Sequence, residues 1–402
     1  MKINNIPEEF IQAIPILEKI EDNNYEAYFV GGSVRDTILN LPIHDVDIAS
    51  SAYPEEIKAI FNKTVDTGIQ HGTVMVLDHG SGYEITTFRT ESGYQDYRRP
   101  DHVEFVRSLK DDIKRRDFTI NALAMDKNGE IIDFYEGIDD LKNQLIKAVG
   151  DANQRFNEDA LRMMRAIRFS SKLDFSIESK TFAAINEHSE LLQKIAVERI
   201  NVEFIKMMLG LKPSKGILNL IDSNLIKFTP FFNSYINKLK KLSSEKIDDN
   251  IIQSEIQVWS LLSYYLNLDN KEEHKMLKSY KCSNKMINDV VLSTNVVRKI
   301  ILNSLSNQDV YNAGLDLTLQ ANQITKIFNE NLSENYIKTL YDDLQIKQKS
   351  DLKIDGKDLI YLGIHPGPKI GSLISDIELK VINNELTNTF DDLINYVKNN
   401  FV

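Results

Sequence analysis

The stretch EAYFVGGSVRDTILNLPIHDVDIA, residues 26–49, decides how the rest of the chain is read. EAYFV is a short apolar run ending in Gly31-Gly32, the pattern of a buried strand entering a tight turn. SVRDTILN predicts a helix with Ser33 near its start. DVDIA alternates carboxylate with aliphatic, which predicts a strand with two faces. On such a strand Asp45 and Asp47 share a face, roughly 6.5–7 Å apart along the chain. Val46 and Ile48 then turn to the core. Two carboxylates on one face repel unless a cation lies between them. Hard divalent cations prefer oxygen ligands, and Mg²⁺ takes one or two carboxylates plus substrate phosphates. Such a pair clamps the attacking and leaving oxygens of a phosphoryl transfer. An exposed pair at a strand end explains D-x-D alone equally well. A glycine turn a dozen residues earlier narrows the choice. Glycines let a backbone approach a phosphate, and helix-start N–H groups favour an anion. Arg35 adds a charge there. Glu84, in YEITTFR, is a third candidate carboxylate, although a strand-edge salt bridge to Arg89 or a neighbour accounts for it too.

Working outward, PEEIKAIF predicts a helix with Pro54 in its first turn. GTVMVLD and YEITTFR are predicted strands joined by HGSG, and HVEFV is one more. TESGYQDYRRPDH between them has no period and many turn formers, so it reads as a mobile loop. Beyond about residue 151 strand signals fade and helical spacing takes over, as in FIKMMLGL and IQVWSLLSYYLNL. The expected fold is α+β: a head with a mixed sheet over 1–150, then helical segments over 151–216, 217–344 and 345–402.

The bulk composition sets limits. The chain has 402 residues, 42% hydrophobic and 27% charged, as in globular proteins generally. No apolar run approaches the roughly 18 residues of a membrane span. MKINNIPEEF carries no apolar signal segment. A single cysteine, Cys282, excludes an internal disulfide framework and a cysteine-based zinc site. A cytoplasmic setting is the expectation. The net charge of −11, from 48 basic and 59 acidic residues, argues against an indiscriminate nucleic-acid coat. It leaves room for a local basic groove, because charges further apart than about 8–10 Å are screened. Basic residues cluster at 98–99, 107–116 and 155–172.

These motifs together resemble those of the polymerase-β-like nucleotidyltransferases. More narrowly, GGSVRD with HDVDIA is similar to bacterial class II tRNA nucleotidyltransferases, the CCA-adding enzymes, and to their poly(A) polymerase relatives. RRDFTINALA (115–124), DFYEGIDDL (133–141), RFNEDALRMMRAIRF (155–169) and VERI (197–200) follow in the family's order. The resemblance covers residues 28 to about 200. It implies a head, neck, body and tail, with two Mg²⁺ ions held by Asp45 and Asp47. It implies that Gly32, Arg35 and Arg116 contact the triphosphate of CTP or ATP. It also implies a helical body and tail that grip the acceptor arm of tRNA. A homodimer is compatible with it.

EDALRMMRAIRF, residues 158–169, predicts one amphipathic helix. At about 100° per residue, Ala160, Met163, Met164 and Ile167 share one side. Glu158, Arg162, Arg165 and Arg168 share the other, with Asp159 at the border. Glu158 and Arg162, four apart, pair readily. Arg165 and Arg168 suit the triphosphate or the primer. The resemblance assigns base reading to Asp159 and Arg162, and their chemistry gives a reason. They set an acceptor beside a fork of donors. Cytosine offers its N4 amino group beside acceptor N3, and adenine its N6 amino group beside N1. Uracil and guanine present a carbonyl beside an N–H, the reverse order. A fixed Asp/Arg pair therefore accepts C and A and rejects U and G.

Three other functions compete. A poly(A) polymerase shares the head chemistry but commonly carries a basic C-terminal extension, which DDLINYVKNNFV lacks. A split enzyme adding only CC or only A is a second, and the acidic-basic element YQDYRRPD (94–101) favours full or A-addition over CC-addition alone. A non-catalytic RNA-binding protein is a third, opposed by Asp45, Asp47 and Arg116. A phosphohydrolase has no support, since the helical half holds no His-Asp pair and the lone histidine of EEHKML, His274, suits the surface better than a ligand role.

Overall fold

The computed structural model describes residues 1–401 apart from 44, 69–70, 79, 96–98 and 249, with backbone alone at 94–95 and 99–101. Two compact units divide the chain, Met1–Ile236 and Asn237–Val402.

The first unit opens with helix α1 (Glu8–Glu21), strand β1 (Ala27–Val30) and helix α2 (Gly32–Ile38). Strand β2 (Asp47–Ser50), helix α3 (Pro54–Ile60) and strands β3 (Thr64–Gly68), β4 (Thr73–Asp78) and β5 (Ser81–Thr87) follow. Strands β6 (Arg89–Gln95) and β7 (Arg99–Phe105) form a separate ribbon. Helix α4 (Leu109–Lys114) and a 3-10 turn (Thr119–Asn121) lead to β8 (Leu123–Met125), β9 (Ile131–Asp133) and α5 (Gly137–Lys142). The seven-stranded sheet runs β3-β4-β5-β2-β1-β8-β9, antiparallel except where β2 lies parallel to β5. Its mixed character agrees with the expected α+β head. Val30, Ala49, Phe88, Ile113 and Ala124 fill one core face. Each large side chain buried this way contributes roughly 1.5–3 kcal/mol. That cluster fixes the mouth of β1 and β2, where Val30 pairs with Asp47.

Two strand expectations need correction. Strand β2 begins at Asp47, so Asp45 and Val46 precede the sheet. Val46 is half-buried rather than in the core, because the β1 ladder ends at the Val30–Asp47 pair. The segment read as a mobile loop forms the β6–β7 ribbon up to its tip, and 96–98 lie outside the described residues. A ribbon paired only with itself needs no apolar face, so it leaves no period-two signal.

The helical part of this unit contains α6 (Ala152–Glu158), α7 (Leu161–Leu173), α8 (Ser179–His188), α9 (Val197–Met208) and α10 (Pro213–Asp222). A short parallel pair, β10 (Leu145–Ile146) and β11 (Ser176–Ile177), joins its edge. The helix expected over 158–169 is interrupted. Glu158 closes α6, and Asp159 is extended at φ −137 and ψ 103. The Asp159 carboxylate accepts from the Leu161 amide at 3.0 Å, which caps the start of α7. The amphipathic reading holds beyond that break, with Ala160, Met163, Met164 and Ile167 fully buried.

The second unit is helical throughout its described residues. Five of its described helices start at side-chain caps. Ser254, Asp269, Ser283, Ser306 and Asp355 each accept a first-turn amide. One of its cores gathers Val310, Leu344, Ile354, Leu373, Ile377 and Leu393. No described helix is long and apolar enough to cross a membrane.

Candidate active site

Gly31 ends β1 at φ +78, in the left-handed region. A Cβ there would lie 2.9 Å from Arg116 Nη1 and 3.9 Å from Asp47 Oδ2. Only glycine suits both that backbone and that spacing. The turn thus draws β1, the Arg116 guanidinium and the first residue of β2 together. They form one end of a cleft of about 470 Å³.

Helix α7 supplies the opposite wall with Arg162, Arg165, Arg168 and Lys172. Arg35, Arg115, Arg116 and Arg199 complete the cations, against Asp47, Asp117 and Asp159. The excess of positive charge is local, in a chain of net charge −11. Fields focused in a cleft of this kind concentrate polyanions.

Most of these cations are held by carboxylates. Arg35 Nε donates to Asp36 at 2.8 Å, and Arg35 Nη1 donates to the Asn121 side chain. Asn121 donates to Asp117 at 3.0 Å, and Arg165 Nε donates to the other Asp117 oxygen at 2.6 Å. Arg168 lies 3.0 Å from Glu203, and Lys172 lies 3.5 Å from Asp36. Arg35, Arg165 and Arg168 gather round the Phe169 ring, 4.3–5.7 Å from its centre. Burial alone would raise Asp117, but Arg165, Asn121 and Arg162 outweigh it and hold the carboxyl well below the usual range. Arg165 rises correspondingly, foremost through Asp117.

Arg162 donates to Glu158 at 2.7 Å, to the Arg155 carbonyl at 3.2 Å and to the Arg115 carbonyl at 2.9 Å. Asp159 is met by Arg199 at 3.1 Å. Asp159 and Arg162 thus face the same cleft with their directions set by neighbours.

Asp47 also lines a second cleft of about 520 Å³, together with Asp45, Glu84, Glu9 and Tyr83. It is the wall common to both. By area Asp47 lies at an open mouth, yet its carboxyl is crowded enough that burial pushes it up. Arg116 pulls it down, and Glu84 and Asp45 push it up further. Arg89 pairs with Glu91 at 2.8 Å, so it does not account for Glu84. Among the described residues no three His, Cys, Asp or Glu side chains close a metal site by themselves. Two or three convergent carboxylates fit a divalent cation whose shell is completed by water and substrate phosphate.

The first cleft gathers Gly32, Arg35, Asp47, Arg116, Asp159, Arg162, Arg165 and Arg168, all singled out in the sequence. Asp45 and Glu84 stand in the second. Gly31 was marked only as half of the glycine turn, and Arg115, Asp117, Asn121, Lys172 and Arg199 were not singled out. Asp117 and Asn121 fall inside RRDFTINALA and Arg199 inside VERI, so the motifs marked their neighbourhoods without giving their roles.

Residues 27–147 match the poly A polymerase head domain, which sets the head among the nucleotidyltransferases. Residues 174–236 match a probable RNA and SrmB-binding site of polymerase A, and 251–397 a putative tRNA nucleotidyltransferase domain 2. The CCA-adding enzyme of Ligilactobacillus salivarius is 52% identical over 99% of this chain and 98% of its own. The solved Bacillus stearothermophilus CCA-adding enzyme in complex with CTP is 34% identical, with TM-score 0.90 over 98% of each chain. The Thermotoga maritima CCA-adding enzyme complexed with tRNA, at 23% identity and TM-score 0.63, shares the fold. The chain belongs to the family of CCA-adding enzymes, nucleotidyltransferases that use divalent metal ions.

Proposed function

We propose that the first cleft takes CTP and ATP in turn, and that the chain adds C, C and A to the 3′ end of tRNA without a nucleic-acid template. The observation that carries this reading is the state of the cleft's donors. Arg116 Nε and Arg199 Nη1 are buried without an acceptor. Arg168 Nε lies near Glu203 but off the line of a hydrogen bond. Buried donors are nearly always satisfied, so the two unmet groups, in a lining of eight basic side chains against three aspartates, suit a polyanion. A nucleoside triphosphate meets that description.

In the reaction the tRNA 3′-hydroxyl attacks the α-phosphorus, a new P–O bond forms, and the bond to pyrophosphate breaks. Asp45 and Asp47 would hold Mg²⁺, with Glu84 beside them. When bound, the cation lowers the pKa of the hydroxyl and neutralises charge at the phosphate. Arg116, with Gly31 and Gly32 beneath it, contacts the triphosphate with Arg35 and Arg168. Arg165 is committed to Asp117 and shapes the wall. Asp47, shared by both clefts, sets the nucleotide on one side and the 3′ terminus on the other. Asp159 accepts from the amino group of C or A while Arg162 donates to the adjacent ring nitrogen. The body and tail hold the tRNA, and the setting is cytoplasmic.

A poly(A) polymerase is the weaker reading, because the matched relatives named above are CCA-adding enzymes over the whole chain. Of the YQDYRRPD element that favours full over CC-only addition, residues 96–98 lie outside the described residues and the rest are described by backbone alone. The test is product length. Protein with Mg²⁺ and a tRNA lacking its CCA end should give a CC extension with CTP alone and stop at CCA with both nucleotides. Long tails with ATP alone would contradict the proposal.

A further inference from the structure

The two side chains assigned to base reading are held unequally. Arg162 is fixed by three acceptors, the Glu158 carboxylate and the carbonyls of Arg155 and Arg115. Asp159 is held by less. It lies in the break between α6 and α7, in extended backbone, so no helix sets its side chain. The Leu161 amide anchors Oδ1 at 3.0 Å. Oδ2 is met by Arg199 Nη2 at 3.1 Å.

Arg199 reaches Asp159 from 40 residues along the chain. It stands in the first turn of α9, where a cation opposes the helix dipole. The stability of α9 therefore gives no reason for it. Its Nη1 is buried without an acceptor, also unfavourable for folding alone. Both features are explained if the residue serves the cleft that it lines.

We infer that Arg199 is a positioning residue for base selection, aiming the Asp159 carboxylate at the amino group of C or A. This rests on the reading of Asp159 as the base acceptor. Anchored at Oδ1 alone, the carboxylate can rotate. A rotated carboxylate can accept from N3–H of uracil or N1–H of guanine, the neighbouring donors on the bases it should reject. Loss of Arg199 thus damages selection, whereas loss of a purely structural residue lowers all additions together.

The test uses the full chain, Mg²⁺ and each of the four nucleotides separately, CTP and UTP on a tRNA lacking its CCA end, ATP and GTP on a tRNA ending in CC. Relative kcat/KM is measured for wild type, Asp159→Ala, Arg199→Met and Arg199→Lys, with thermal denaturation of each. Arg199→Met should raise UTP use relative to CTP, and GTP use relative to ATP, by about tenfold or more. Arg199→Lys keeps the charge without the fork, and its ratio should fall between those of wild type and Asp159→Ala. A common loss on all four nucleotides with wild-type ratios overturns the inference. If Arg199→Met does not fold, Arg199→Lys decides, and a wild-type ratio there overturns it equally. Wild-type selection in Asp159→Ala would instead refute base reading itself, so the two failures are distinct.

Discussion

Asp47→Asn should slow nucleotide addition by about 10³-fold or more while leaving the fold and nucleotide binding in place. Metal stabilisation of transition-state charge is worth several kcal/mol, and about 1.36 kcal/mol separates each factor of ten in rate. Asp47 is the wall common to the two clefts, with Asp45 and Glu84 beside it. Asparagine keeps the shape and removes the charge that a divalent cation needs. The backbone pairing of Val30 with Asp47 does not depend on the side chain. Burial already disfavours the ionised carboxyl, so stability should hold or rise slightly. Single-turnover extension with labelled CTP, beside thermal denaturation, checks both halves. Addition within tenfold of wild type would mean that Asp47 does not hold the cation.

Asp159→Ala should relax nucleotide choice by about 10- to 100-fold, because an unpaired buried polar group costs about 1–3 kcal/mol. The rejected bases lose their mismatch, and C and A lose one contact. Triphosphate binding should change less, since Arg35, Arg116 and Arg168 are untouched. Arg162→Ala should relax choice similarly but also lower stability. It removes one of the donors to the Glu158 carboxylate and to the Arg155 carbonyl, and strands the Arg115 carbonyl, at a residue only 8% exposed. At about 2–4 °C per kcal/mol for a chain of this kind, the melting shift should be several degrees. Misincorporation of UTP and GTP on tRNA ending in C is the measurement. Wild-type exclusion of both in either variant would remove base reading from the account.

Local signals carried much of this site. The apolar run into Gly31-Gly32 and the carboxylate alternation at 45–47 are short-range patterns; β1 and α2 form where they indicate, and β2 starts two residues later than the alternation does. The apolar face of α7 was equally plain from Ala160 to Ile167. The break at Asp159 was hidden because two acids before an apolar run resemble an ordinary first helical turn. Only the amide of Leu161 and the distant Arg199 reveal the extended backbone. Asp117, Asn121 and Arg199 act through partners 40 to 86 residues away, and no periodicity encodes such pairs. Strands β8 and β9 have three residues each and β3 is an exposed edge strand, so neighbours in the sheet decide them more than propensity does. Among the described residues of β6 and β7 none is fully buried, so these strands carry the composition of a loop.

The central claim is that one cleft, bounded by Asp47 and Asp159, receives C and A nucleotides alike and excludes the others. Displacement of labelled CTP from the protein with Mg²⁺ and no RNA tests it most directly. ATP should displace CTP completely at a single site, and UTP and GTP should do so at least about tenfold less well. ATP that binds while CTP stays in place would contradict the account.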